Sequence, residues 1–329
     1  MTSLIGHDAQ IAAFCEAMAS GKLHHAWLLT GAQGIGKARF ADMAALRLLA
    51  EAAGPPPGGE GLYVGPDHPT AKLVAAGSHP DFRRLERLAK ESTGELARNI
   101  PIAQVRTLQG MFVTTPSMSS RRVIVIDAID DLERAAANAL LKNLEEPPAD
   151  TVFLLVSHAP GRLLPTIRSR CRLLRFSALD EAAMANVLRA ELPEADAAEI
   201  AALVRAGEGS PGRALGFAGL DIAALDEAMA LLATSGDPGN ATRIALAKSL
   251  SLKAAQMRYE AFLQRAPGFI ARAAERRQGQ ALADAIALWE QCRALASSAV
   301  GTSLEPQSVV FQIGTLIAGL APRRSDAKG

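Results

Sequence analysis

A glycine-rich segment, GAQGIGKA at residues 31–38, carries the residue types that hold phosphate groups. It fits the pattern G-x-x-x-x-G-K, and the binding residues that it predicts are Gly31, Gly34, Ile35, Gly36, Lys37 and Ala38. Glycines let backbone N–H groups turn towards phosphate oxygens, and a helix starting at the lysine adds the positive end of its dipole. The lysine would supply charge for the β- and γ-phosphates. The alternative is a loop kept only as a rigid turn.

Two further positions decide what such a loop could do. Ala38 stands where a Ser or Thr hydroxyl normally ligates Mg²⁺, so we expect hydrolysis to suffer more than binding. Asp127 ends the apolar run VIVID, where an acidic residue of a P-loop protein holds Mg²⁺ through water. Asp130 and Asp131 follow at the expected start of the next helix, and the sequence favours a capping role for them.

The elements that must position these residues follow from apolar patterning. The runs HHAWLLTG, RRVIVIDAID, DTVFLLVSH and CRLLRF predict four buried strands, and residues 37–49 and 132–144 have a helical period. Continuous apolar strands alternating with amphipathic helices are typical of a mostly parallel sheet covered on both faces. Residues 52–69 are dense in Pro and Gly and predict a loop.

After residue 176 the strand pattern ends. Alanine-rich segments predict helices at residues 179–189, 197–206, 221–233, 241–266 and 281–298, with breaks at 207–212, 235–239 and 267–268. We therefore expect three domains: an α/β domain at 1–176, a small helical domain at 177–220 and an all-α domain at 221–329.

Composition narrows the functional classes. Thirty-five Lys and Arg residues against 34 Asp and Glu residues give a net charge of +1, which excludes a globally basic protein that coats nucleic acid. The basic stretches 83–87 and 272–277 are interpreted as solvated faces rather than DNA tracks. Three cysteines are too few for a disulfide framework or a four-thiolate zinc site. With no signal peptide or membrane segment, this predicts a cytoplasmic protein.

Three segments give the chain a specific resemblance. NALLKNLEEPP at 138–148, then TVFLLVSH, then LLPTIRSRC at 163–171 follow the P-loop and the Asp127 strand in the order found in bacterial clamp-loader subunits of the AAA+ superfamily. IGH at 5–7, HPDF at 79–82 and GSPGRAL at 209–215 resemble further segments of that family. The resemblance covers roughly residues 3–220. It implies an α/β P-loop (AAA+) parallel-sheet domain, a small helical lid domain and an all-α collar domain.

The resemblance also implies roles for three residues. Arg170 would be an arginine finger that reaches the γ-phosphate of a neighbouring subunit's ATP, where a guanidinium neutralises developing charge. Ser157, at the end of the sensor strand, would contact a γ-phosphate or a water. Arg213 would reach a bound nucleotide from the lid. From the residues alone, the alternatives are an exposed arginine face, a strand-end hydroxyl satisfied by local backbone, and a helix-surface charge.

Departures from the family pattern favour one subunit type. Ala128 stands where AAA+ ATPases usually carry the Glu that polarises water, and residues 52–80 lack the four cysteines of a zinc module present in many bacterial relatives. No zinc or other metal site is therefore predicted. An intact Arg170 beside a degenerate site resembles the delta-prime type, which stiffens one end of a ring of subunits and helps to open the sliding clamp at primed DNA. It would not be an active ATPase alone, but part of the DNA polymerase III holoenzyme, a nucleotidyltransferase.

The implied partners are the gamma/tau and delta subunits, the sliding clamp and primer–template DNA, with ATP or ADP bound weakly and no membrane. Two alternatives stay open: an ATP-hydrolysing gamma/tau motor subunit of the same complex, and a P-loop metabolic kinase or transferase. Residues 221–322 would form the ring. The candidate contacts there, or alternatively core residues of that domain, are Val309, Val310, Phe311, Ile313, Leu316 and Ile317.

Overall fold

A computed structural model describes residues 4–53, 56–90, 94, 96–301 and 304–322, which form two compact units. The first contains the described residues up to Glu191 together with Glu208–Arg213. The second contains Leu192–Gly207 and the described residues from Ala214 onwards. The boundaries between the two units, after Glu191, Gly207 and Arg213, all lie within residues 177–220, which the sequence assigns to the small helical domain. The three-domain boundaries therefore stay a prediction.

The first unit is built on a five-stranded parallel sheet in the order β2-β3-β4-β1-β5. Its strands are β1 (Ala26–Thr30), β2 (Phe82–Glu86), β3 (Arg122–Asp127), β4 (Thr151–Ser157) and β5 (Arg172–Arg175). Thr30 pairs with Ser157 and Asp127 pairs with Glu86 at the carboxyl ends of their strands. The polar residues that end these strands therefore share one edge of the sheet.

Four of the five strands are the four that the apolar runs predict, and β2 was missed. Its sequence, FRRLE, has no continuous apolar run, and Leu85 is its one buried side chain. Because β2 lies at the edge of the sheet, it does not need the apolar side chains that central strands bury on both faces. The predicted loop is confirmed over residues 56–68, whereas residues 54 and 55 lie outside the described ranges. The prediction was wrong for residues 52, 53 and 69, which are helical.

Helices cover both faces of this sheet. They are α1 (Asp8–Ala19), α2 (Lys37–Ala53), α3 (Pro69–Ala75), α4 (Ile102–Val113), α5 (Arg134–Glu145), α6 (Pro165–Arg168) and α7 (Glu181–Glu191). Leu28 and its neighbours on one face pack against α4 and α5 in a buried cluster that includes Leu140. On the other face Trp27 meets Phe14 of α1 edge-on at 4.9 Å. Burial of each such side chain contributes roughly 1.5–3 kcal/mol.

Every regular element described in the second unit is a helix. They are α8 (Ala197–Gly207), α10 (Ile222–Ser235), α11 (Ala241–Leu250), α12 (Gln256–Glu275), α13 (Gly279–Gly301) and α14 (Pro306–Ala318), while the short α9 (Pro211–Leu215) crosses the boundary. The break at 235–239 is confirmed, because Gly236 ends α10 in the left-handed region at φ +69°. Within the described ranges, no helix combines the length and the apolar character that spanning a bilayer requires.

Two helix boundaries were wrong. The predicted break at Pro267 lies inside α12, where Ala266 and Ile270 are fully buried and packing outweighs the helix-breaking effect of proline. The single helix predicted at 241–266 is instead interrupted between Leu250 and Gln256.

The apolar residues of α14 mostly serve the core of the second unit. Val309, Val310, Ile313 and Ile317 are buried there, which favours the core alternative over a ring contact for these four. Phe311 and Leu316 are half-buried.

Candidate functional site

The glycine-rich loop connects β1 to α2, as the phosphate-binding motif requires. Two of its glycines are fixed by close approach of other segments. A Cβ at Gly31 would lie 2.4 Å from the backbone oxygen of Phe176, and one at Gly34 would lie 2.6 Å from the Ser210 Oγ. Both residues also have positive φ, +152° and +78°. No larger residue fits at either position without displacing the chain that covers the loop.

Two distant segments hold three carbonyl groups of this loop. The Ser210 hydroxyl donates to the Gln33 carbonyl at 2.8 Å, and the Gly212 N–H donates to the Gly34 carbonyl at 2.8 Å. The buried His7 ring places its Nε2 2.6 Å from the Ile35 carbonyl. These bonds fix the shape of the loop from outside, as expected for a rigid turn and equally for a preformed phosphate cradle.

Lys37 opens α2 and folds back over its own loop. Its Nζ donates to the carbonyls of Gly31 at 2.7 Å and Ala32 at 2.5 Å, and the residue is 2% exposed. Burial lowers the pKa of Lys37 to about 8, against the opposing effect of the Asp127 and Asp130 carboxylates. A phosphate group would have to replace the carbonyl contacts of this ammonium.

Asp127 ends β3 and is already paired with an arginine. The Arg84 Nη2 lies 2.6 Å from the Asp127 Oδ2, the Arg84 Nε lies 2.7 Å from Glu86, and Arg84 also pairs with Asp42 of α2. The interpretation of residues 83–87 as a solvated face is therefore wrong for Arg84, since its side chain is largely buried among three carboxylates. The sequence shows the charge of Arg84 but not the fold that brings α2, β2 and β3 together around it.

Asp130 organises the end of β4 rather than capping α5. Its carboxylate accepts from the Ser157 hydroxyl at 3.0 Å and from the N–H groups of His158 at 2.6 Å and Ala159 at 3.3 Å. Asp131 pairs with Arg87 at 3.1 Å. The capping prediction is wrong for both because they lie in a 3₁₀ turn at Ile129–Asp131, and α5 begins only at Arg134 with Glu133 as its N-cap. The Ser157 hydroxyl is satisfied by a carboxylate, and the residue is fully buried.

His158 is a residue that the sequence reasoning missed. Together with Thr30 and Gly31 it lines a cavity of about 760 Å³ beside the loop, and its Nδ1 is buried with no hydrogen-bond partner among the described residues. Burial lowers its pKa, and so does the nearby Lys37 ammonium. A histidine directly after a strand-end serine was the only signal in the sequence.

Arg170 follows α6 and makes its hydrogen bonds away from the loop. Its Nη2 lies 2.8 Å from the Glu145 Oε1 at the end of α5, and its Nη1 donates to the Thr166 carbonyl at 2.9 Å. The side chain is 34% exposed. The next residue, Cys171, is no nucleophile, since burial raises the pKa of its thiol to about 12.

Arg213 lies at the other side of the loop. Its backbone nitrogen would be 3.0 Å from a Cβ at Gly34, and its Nη1 is 2.5 Å from a Glu208 carboxylate oxygen. Lys37, Asp127, Ser157 and Arg213 thus surround or border the loop, whereas Arg170 is bound to α5 and α6. Over the described ranges, no group of three or more His, Cys, Asp or Glu side chains is arranged to hold a metal ion.

In this parallel sheet a glycine-rich loop follows β1, an aspartate ends β3 and a polar residue ends β4. The strand order together with these residues defines a P-loop protein of the AAA+ type. Such folds bind nucleotides in general. Residues 6–180 match the family model described as DNA polymerase III, delta subunit, and the chain belongs to this family. The family match and the delta' relatives support a clamp-loader delta-prime type.

Relatives support this subunit type. The chain is 39% identical over 187 residues to the DNA polymerase III subunit delta' of Pseudomonas aeruginosa, covering 57% of this chain and 53% of that one. It is 38% identical over 144 residues to subunit delta' of Escherichia coli, covering 44% and 41%. Subunit tau/gamma of Haemophilus influenzae is 32% identical over 215 residues, covering 63% and 28%. The chain thus matches about half the length of its delta' relatives, or less.

Among solved structures, the fold is similar to a DNA polymerase III gamma subunit-related protein of Thermotoga maritima. The two share 16% sequence identity with a TM-score of 0.48, over 94% of this chain and 98% of that one.

Proposed function

We propose that this chain is a stationary subunit of a clamp loader, which donates Arg170 in trans to a neighbouring ATPase subunit while its own site does not hydrolyse ATP. With partner ATPase subunits it would open the sliding clamp and load it on primed DNA. The observation that carries the proposal is the partial exposure of Arg170. Its one carboxylate partner, Glu145, is itself exposed, while the cations of the chain's own site are engaged internally.

The chemistry of a finger suits this placement. Phosphoryl transfer needs positive charge at the γ-phosphate as the transition state forms, and a guanidinium supplies it with two parallel donors. A partly exposed Arg170 can leave Glu145 for such a phosphate at small cost, since exposed ion pairs contribute about 0–1 kcal/mol. By contrast Ala38 and Ala128 provide neither a metal-binding hydroxyl nor a general base in the chain's own site.

The remaining parts of the proposal concern assembly and ligands. The names of the relatives, which describe subunits of DNA polymerase III, support a hetero-oligomeric assembly. The partners in it would be gamma/tau and delta subunits, the sliding clamp and primer–template DNA. Residues 177–220 would act as the lid and 221–329 as the collar. ATP or ADP would bind weakly at residues 31–38, near Asp127, Ser157 and Arg213.

Replacement of Arg170 in the reconstituted complex tests the proposal. For Arg170→Ala we expect DNA-stimulated ATP hydrolysis to fall by about 10³-fold, at the lower end for arginine fingers, with the assembly intact by size-exclusion chromatography. Arg168→Ala, an exposed arginine two residues earlier, is the matched control and should retain hydrolysis. Unchanged hydrolysis in the Arg170 variant would remove the finger assignment.

The second candidate is an ATP-hydrolysing motor subunit, which the similarity to tau/gamma relatives favours. An ATPase assay on the isolated chain separates the two functions. Turnover of about 1 s⁻¹, within the usual range for enzymes, would establish the motor subunit and overturn the stationary role.

A further inference from the structure

Three carboxylates meet one guanidinium beside the phosphate loop. Arg84 of β2 contacts Asp127 at 2.6 Å and Glu86 at 2.7 Å, and it also pairs with Asp42, five residues after Lys37 in α2. Burial alone would lower the pKa of Arg84, but these carboxylates raise it, so the guanidinium stays charged. The cluster ties together three elements at the carboxyl edge of the sheet.

The residues present do not fit the Mg²⁺ that P-loop folds usually hold. The Asp127 carboxylate, which would hold such an ion, accepts a hydrogen bond at its Oδ2 from the Arg84 guanidinium. The second protein ligand is missing, because Ala38 presents a methyl group where a hydroxyl is required. A divalent cation near Asp127 would also face the positive charge of Arg84 at close range.

We infer that Arg84 takes the place of the metal ion beside Asp127, so that this loop accepts a nucleoside di- or triphosphate without a divalent cation. The inference deepens the proposed function and rests on it for the phosphate ligand. Without a metal, a bare carboxylate at Asp127 would repel the phosphates, and Arg84 removes that charge. Lys37 then supplies the positive charge that meets the ligand itself.

A titration with Mn²⁺ alone, followed by electron paramagnetic resonance on the full chain, tests the metal half. For the wild type we expect a dissociation constant for Mn²⁺ of about 1 mM or higher. Arg84→Ala frees three carboxylates, so we expect its dissociation constant to be lower by a factor of about ten or more. Arg83→Ala is the matched control, since Arg83 of the same strand donates to the Phe82 carbonyl and should leave binding at the wild-type level.

Tight Mn²⁺ binding by the wild type that is lost in Asp127→Asn would overturn the inference. This comparison of wild type with Asp127→Asn does not depend on whether the Arg84 variant folds. Equal Mn²⁺ binding by Arg84→Ala and the wild type, with the variant folded by circular dichroism, would also overturn it.

Calorimetric titration of the wild type with ATP tests the ligand half. We expect the dissociation constant in excess EDTA and in excess Mg²⁺ to agree within about twofold. A tightening of tenfold or more with Mg²⁺ would overturn the inference. Absence of ATP binding in both buffers would instead remove the nucleotide ligand from the proposed function, and the Mn²⁺ titration would still decide what Arg84 does beside Asp127.

Discussion

The phosphate loop and the Arg170 surface of the first unit use positive charge in opposite ways. At the loop, Lys37 is buried on its own carbonyls and Arg84 is surrounded by three carboxylates, so both cations are satisfied within the chain. Arg170 is a third exposed and has one exposed carboxylate partner. A cation buried among several internal partners stabilises a fold, whereas a partly exposed cation with one exposed carboxylate partner is available to another molecule.

The test with the largest expected effect replaces one cation in each region by the other basic residue, lysine or arginine. In the reconstituted complex, Arg170→Lys keeps the charge but loses the planar fork, and we expect hydrolysis to fall by about 10²-fold. Lys37→Arg should leave hydrolysis within about twofold, because the chain's own site is not used. Steady-state ATPase assays with primed DNA measure both. A large loss in the Lys37 variant with the assembly intact would break the comparison.

Asp130 gives the second test, since it fixes the strand end beside the loop. Asp130→Asn removes a half-buried carboxylate that accepts three hydrogen bonds, and we expect the first unit to lose about 2–3 kcal/mol of its free energy of unfolding. Urea unfolding of the first unit can be monitored by the fluorescence of Trp27 in a Trp289→Phe background, which leaves Trp27 as the single tryptophan. The unfolding curve gives the free energy of unfolding of this unit. Asp131→Asn is the matched control and should cost about 0–1 kcal/mol, because it breaks one partly exposed ion pair. Equal losses in the two variants would contradict the role of Asp130.

The contrast also separates what sequence reasoning could find from what it missed. The loop residues and Asp127 were predictable because the motif is local and each end of a buried strand is marked by an apolar run. Sequence reasoning could not predict the roles of Arg84, Asp130 and Glu145, since these roles depend on partners between 25 and 43 residues away in the chain. The strand that carries Arg84 has no apolar run, so even its presence in the sheet was hidden.

The pH dependence of ligand binding gives the third test. The pKa of Lys37 is lowered to about 8, so this lysine is charged below that pH and loses its proton above it. Because the charged form attracts phosphate, we expect ATP to bind about tenfold more weakly at pH 9 than at pH 7. Calorimetric titration across this range measures the change. In Lys37→Ala the profile should be flat, and an equal drop in that variant would show that another group titrates.

The smallest expected effect concerns Glu145, the carboxylate partner of Arg170. Glu145 lies 2.8 Å from the Arg170 Nη2, and its side chain is 47% exposed, so the pair belongs to the weak class worth about 0.2–1 kcal/mol. We expect Glu145→Gln to lower kcat for hydrolysis in the complex by about threefold with KM for ATP unchanged, because the guanidinium loses one of the contacts that limit its rotamers. Glu146→Gln is the matched control, since Glu146 is also exposed but lies just beyond the end of α5. Salt of about 0.5 M screens exposed pairs and should remove the difference between the Glu145 variant and the wild type. A rise in kcat would show instead that Glu145 holds Arg170 back from its target, and the single carboxylate would then be a restraint on the finger rather than its guide.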